Sequence, residues 1–109
     1  MARWATTNNE IEHIVNISNS IPPGGLAEIT LSNNQVIEGV ITKRTQGNNA
    51  GREGYWSYYG EIEFTTKDGD NLIIDFLDMS NIINIWSQQK AKEYEELGLI
   101  QIVDFPNNN

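Results

Sequence analysis

Between residues 26 and 86 the chain carries five strand signals in meander order, and this succession limits the folds open to it. "LAEITL" alternates Leu26, Glu28 and Thr30 with Ala27, Ile29 and Leu31, the pattern of a half-buried strand. "SNNQ" follows as a tight turn, because asparagine tolerates the positive φ that hairpin turns require. Residues 36–42 run back as a second strand, interrupted by Gly39, which predicts a bulge or a sharp bend. "QGNNAGREG", residues 46–54, reads as a loop. A third strand is expected over residues 55–66, closed by "KDGD". Residues 72–77 are largely apolar and read as a fourth strand buried on both faces. "DMS" is a very short turn, and residues 82–86 form the fifth strand. Short, strongly bent antiparallel strands of this kind close into a small barrel.

Helical patterns flank the strands. In "NNEIEHIVNISNS", residues 8–20, Ile11, Ile14, Val15 and Ser18 recur at helical spacing. Asn8 or Asn9 is placed to cap the start, with Glu10 and Glu12 near the positive end of the dipole. The same residues also alternate as a strand would; helix is the better fit. "IPPGG" ends the segment, since proline neither extends a helix nor lets the preceding residue stay helical. After residue 86 the β-branched residues give way to "SQQKAKEYEELG", residues 87–98, a solvated helix with Ser87 and Gly98 as its caps. "LIQIVDF", residues 99–105, reads as one more edge strand, and residues 106–109 as a disordered tail. With no repeat and no linker, residues 1–109 read as a single mainly β domain: an N-terminal helix, a five-stranded bent antiparallel sheet, and a C-terminal helix.

Charge and composition narrow the function. Fifteen acidic against 7 basic residues give a net charge of −8, which argues against broad attraction to phosphate backbones. Any nucleic-acid contact must be local. The chain has no cysteine and a single histidine, His13, so thiolate and histidine-cluster metal sites are excluded, and no metal or other cofactor is expected. No apolar run is long enough to span a membrane, and "MARWATTNNE" lacks a signal-peptide core, so the expected location is the cytoplasm, or the host cytoplasm if the chain is viral. There is no phosphate loop and no recognisable nucleophile with its base, and His13 reads as structural; the expectation is a binding protein, not an enzyme. Asp75 and Asp78 are close enough to suggest a metal or acid–base pair, but strand-end carboxylates are ordinarily solvated and no third ligand is evident.

One stretch departs from this acidic background. "NNAGREGYWSYYGE" begins at residue 48 and holds three of the 4 tyrosines and one of the 3 tryptophans. With the residues just before it, it gathers Lys43, Arg44 and Arg52 as cations, Asn48 and Asn49 as amides, and Tyr55, Trp56, Tyr58 and Tyr59 as rings. Bases stack on any aromatic face, and exposed base edges suit amides. In a strand, Tyr55 and Tyr59 face one way and Trp56 and Tyr58 the other, so one set is expected to pack and the other to face a ligand.

The order of elements and two short motifs resemble the Sm/LSm family over residues 8–86. In "LSNNQVIEGVI", Leu31, Asn33, Asn34, Gly39 and Ile41 stand at the positions of the family's first motif, with Asn34 in place of the usual turn glycine. In "LDMSNIINI", Leu77, Ser80, Asn81, Ile82 and Ile85 match the second motif, but Asp78 and Met79 replace its basic–glycine pair. The resemblance implies a homo-oligomeric ring in which the fifth strand of one subunit pairs with the fourth of the next. Ile82, Ile83, Ile85 and Trp86 would then form the subunit interface, and such an apolar edge needs cover in any case. The resemblance also implies single-stranded RNA, less readily DNA, held by the loop after the second strand and by Ser80 and Asn81 after the fourth. Asp78 in place of a cation, with the net charge, supports a different partner: an acidic ring that binds a protein.

Overall fold

The computed structural model describes residues 3–52 and 54–101. Helix α1 (Asn8–Ser20) starts at a capping box. The Thr7 hydroxyl accepts from the Glu10 amide at 3.2 Å, and the Glu10 carboxylate accepts from the Thr7 amide at 3.3 Å. Thr7, rather than Asn8 or Asn9, is therefore the cap: its backbone is extended just ahead of the helix, and it exchanges both bonds of the box with Glu10. These bonds from Thr7 hold the Glu10 carboxyl below its ordinary pKa. The helix stops at Ile21, which is extended ahead of Pro22 as its position requires.

Strands β1 (Leu26–Leu31) and β2 (Val36–Asn48) form the first hairpin, with Asn34 at φ 69° in its turn. β2 pairs with β3 (Tyr58–Thr66), which pairs with β4 (Asn71–Asp75). A one-turn 3₁₀ segment, Phe76–Asp78, leads into β5 (Met79–Asn84), which returns to pair with β1. The order is β4-β3-β2-β1-β5, antiparallel throughout and open among the described residues. Helix α2 (Gln88–Glu96) follows, with Ser87 as N-cap and Gly98 at φ 75° just past its end, as the sequence implies.

Several boundaries differ from those read in the sequence. β2 runs on through Gln46, Gly47 and Asn48, because Gly47 leaves room for the Tyr59 ring opposite; a Cβ there would lie 3.0 Å from it. β3 starts at Tyr58, so Tyr55 and Trp56 belong to the loop. The irregularity in β2 falls between Ile41 and Lys43, not at Gly39; Gly39 instead admits the Thr65 carbonyl, which would lie 2.2 Å from a Cβ. β4 is an edge strand and is buried on one face only: Ile74 is in the core while Ile73 is 68% exposed. β5 begins earlier than residue 82 and ends before Ile85 and Trp86, because Met79 already pairs with Leu31. Leu99, Ile100 and Gln101 do not continue as a strand, and residues 102–109 lie outside the described residues.

The sheet must curl. β4 and β5 are its two opposite edges, yet only Phe76, Leu77 and Asp78 separate them. Four inter-strand gaps in a flat sheet would hold the edges about 19 Å apart, and one 3₁₀ turn advances only about 6 Å. The Asp75 carboxylate fixes this corner by accepting from the Leu77 amide at 2.8 Å. His13 fixes it from α1: its Nε2 lies 2.6 Å from the Met79 carbonyl and 3.1 Å from that of Phe76, in reach to donate to them, so the structural role expected of it holds.

A helix packs on each face of the sheet. On one, Ile14 and Ile17 of α1 pack against Ala27, Ile29, Ile62, Phe64, Phe76 and Ile82. On the other, Tyr94 of α2 is fully buried against Leu26 and Val40, so the tail helix has a docked face as well as a solvated one. Glu38 on β2 accepts from the Tyr94 hydroxyl at 2.7 Å and from Lys90 Nζ at 3.1 Å. Burial works against ionising Glu38, but the bonds from Tyr94 and Lys90 outweigh it and hold its pKa below the ordinary value. Burial, then the same carboxylate, pushes the Tyr94 phenol well above its usual range.

A carboxyl lowered on folding stabilises above its unfolded pKa, and that contribution fades as pH falls through the folded one. Wild type should therefore lose stability progressively below about pH 4.5, the ordinary value for Glu38. Glu38→Gln should flatten that part of the urea-midpoint profile. Identical profiles for the two proteins would rule the network out as a contributor.

Candidate nucleic-acid interface

The tip of the β2–β3 hairpin is built around one amide. Asn49 Oδ1 accepts from the Gly51 and Ser57 amides, each at 3.0 Å, and Nδ2 donates to the Tyr55 carbonyl at 3.0 Å. Asn48 Oδ1 accepts from the Ala50 amide at 2.9 Å, an Asx turn. Ala50 and Gly51 both take left-handed φ, 54° and 69°, which reverses the chain between these bonds. Asn49 thus serves the loop; its amide is already committed on both sides.

The bonds set two aromatic rings outward. Tyr55 is exposed, and Trp56 is 52% exposed, resting over Gly51 and stacked on Tyr58 with centroids 6.3 Å apart and planes at 23°. Tyr58 itself is half-buried against the α1-side core. Beside it a cleft of about 170 Å³ opens between α1 and the hairpin, bordered by Ser18, Gln46 and Asn48. Tyr59 lies on the other face of the strand, in edge contact with Trp4 at 4.9 Å.

The three cations differ in their freedom. Lys43 pairs with Glu63 at 3.8 Å on the open surface. Arg44 donates to the Ser18 carbonyl and hydroxyl and to Gln46, so it closes the C-terminal end of α1. The exposed Arg52 side chain makes no hydrogen bond or ion pair with another described residue.

The residues after β4 are arranged differently. Ser80 donates to the Thr30 carbonyl at 3.1 Å, a bond within the sheet, while Asn81 is exposed. Asp78 binds the Arg3 guanidinium at 2.6 Å, and Asp75 accepts from the Arg3 amide at 2.7 Å. These carboxylates anchor the N-terminal segment, and among the described residues no cluster of acids or histidines is arranged to hold a metal. Of the apolar residues expected at a subunit surface, Ile82 is instead buried in its own core. Ile85 is half-buried beside Tyr94, and Ile83 and Trp86 are exposed. Arg3 and Trp4 were not singled out in the sequence. The contacts of Arg3 lie 72 and 75 residues away along the chain, beyond any local pattern.

No helix among the described residues is long and apolar enough to cross a membrane. Comparison with protein-family models, with curated proteins and with solved structures finds no match to this chain.

Proposed function

We propose that this chain is the subunit of a homo-oligomeric ring of the Sm-like kind, which holds single-stranded nucleic acid, RNA before DNA, at the tip of its β2–β3 hairpin. One observation carries the reading: β4 and β5, the two outer strands, are both unpaired on their outer sides among the described residues and both display isoleucine, Ile73 and Ile83. Exposed apolar edges recruit strands, and pairing one edge with the other in a neighbour satisfies both at once. The loop with Arg52, Tyr55 and Trp56 supplies the accessible cation and rings for nucleic acid.

Native mass spectrometry tests assembly and cargo together. A closed oligomer is expected, with Ile73→Lys and Ile83→Lys each giving folded monomers. A wild type that stays monomeric at high concentration sinks the ring. U-rich and A-rich oligonucleotides should bind at low salt and lose affinity with Arg52→Ala and Trp56→Ala; unchanged affinity in both variants removes the loop from the site.

The charge distribution favours one second reading, an acidic scaffold for a protein. Lys43 is paired, and Arg3 is taken up by Asp75 and Asp78. A basic protein that co-purifies with the ring, in the absence of nucleic acid, selects this alternative.

A further inference from the structure

We infer that Trp4 and Tyr59 form a second base-stacking platform, on the face of the hairpin opposite Trp56 and Tyr58. The inference rests on the nucleic-acid reading above and extends it to residues outside the loop. Successive residues of a strand face opposite sides. Tyr58 and Gly60 face the α1 core, where Gly60 abuts Phe76; Tyr59 faces away, over Gly47.

The N-terminal segment is fastened so as to reach Tyr59. Ala5 exchanges two backbone hydrogen bonds with Tyr58, at 2.6 and 3.0 Å, on the side of β3 that β4 leaves free beyond Asp75. Arg3 is held one step further by Asp75 and Asp78. Trp4, between these anchors, is set at 68° to the Tyr59 ring and is 47% exposed. An edge-to-face pair covers the face of one ring only, so an aromatic face remains for a flat ligand. A base is such a ligand, and stacking tolerates any base identity.

The charges here define how that base is held. Arg3 offsets Asp75 and Asp78, while Glu61 lies across from Asp75 on the Tyr59 face. Among the described residues, no surplus of positive charge here awaits the phosphate. The contact therefore runs through the base, and its contribution should change little with salt, unlike that of Arg52.

Fluorescence separates the two platforms. In the Trp56→Phe/Trp86→Phe protein, Trp4 is the remaining tryptophan, and a short U-rich or A-rich oligoribonucleotide should quench it. Trp4→Leu should weaken binding about five-fold or more at both low and moderate salt, and Trp4→Phe should restore most of the affinity. Circular dichroism of Trp4→Leu checks that the fold is kept; if it is not, the quenching result in the Trp4-only protein decides alone. Binding that quenches Trp56 in the Trp4→Phe/Trp86→Phe protein but leaves Trp4 unresponsive overturns the platform and leaves the loop reading intact. A wild type that binds no oligonucleotide at low salt overturns the loop reading, and the platform with it.

Discussion

Gly60→Ala should destabilise the chain by about 3 kcal/mol, the upper end of what overpacking costs. A Cβ on Gly60 would lie 2.3 Å from Cδ2 and 2.4 Å from Cε2 of Phe76. Phe76 is fully buried among Ile62, Met79 and α1, so its ring cannot swing aside without displacing the corner that joins β4 to β5. Phe76→Ala alone opens a cavity and should cost about 3–5 kcal/mol. The two changes should not add. With the ring gone, the methyl introduced by Gly60→Ala occupies part of the space it leaves, so the double variant should be more stable than the sum of the single losses implies. Urea midpoints for the four proteins give the coupling, provided the m-values agree. Simple additivity would mean that Gly60 and Phe76 do not share this contact.

Tyr94→Ala is the second large effect, at about 3–5 kcal/mol. Tyr94 is the one large side chain that α2 buries, and it closes the far face of β1 and β2 over Leu26 and Val40. Tyr94→Phe separates packing from polarity. It keeps the ring, withdraws the hydroxyl from Glu38, and should cost about 1.5–3 kcal/mol, as for hydrogen bonds to a charged group. Lys90 remains to neutralise the carboxylate. Helical ellipticity should fall in Tyr94→Ala and hold in Tyr94→Phe. If Tyr94→Ala behaves like Lys92→Ala, an exposed change on the same helix, then α2 is not docked through this residue.

What the sequence made legible follows from where the information lies. The β1–β2 turn and the caps of α2 are local chemistry: Asn34, Ser87 and Gly98 act within a few residues of themselves. The five strands of the sheet and the mainly β layout were readable for the same reason, although residues 99–101 do not form the further edge strand their apolar character suggests. The length of β2 was not, since Gln46, Gly47 and Asn48 resemble a loop until Tyr59 stands opposite a residue without a side chain. The burial of β4 was misjudged because an apolar run does not say whether its strand is central or at an edge; Ile73 is apolar and exposed. Thr7 was missed as cap because the asparagines that follow are good caps in isolation, and Asn9 stands as far before Glu12 as Thr7 does before Glu10. At the candidate site the rings and Arg52 were visible as residue types. That Asn49 spends its amide on the loop depends on how the hairpin tip folds back over Tyr55 and Ser57, and that Asp78 carries its own cation in Arg3 depends on a contact between separate segments.

The 3₁₀ turn between the outer strands has a geometric consequence beyond the single chain. It is a covalent tether across the mouth of the sheet, and it sets the bend of the sheet much as a bowstring sets a bow. In a ring of the proposed kind, the angle between one subunit's two edges fixes the rotation from each copy to the next, and so the number of copies that close the circle. The symmetry of such an assembly would then be encoded less in the surfaces that touch than in the length of Phe76–Asp78, and the hold of His13 and Asp75 upon it.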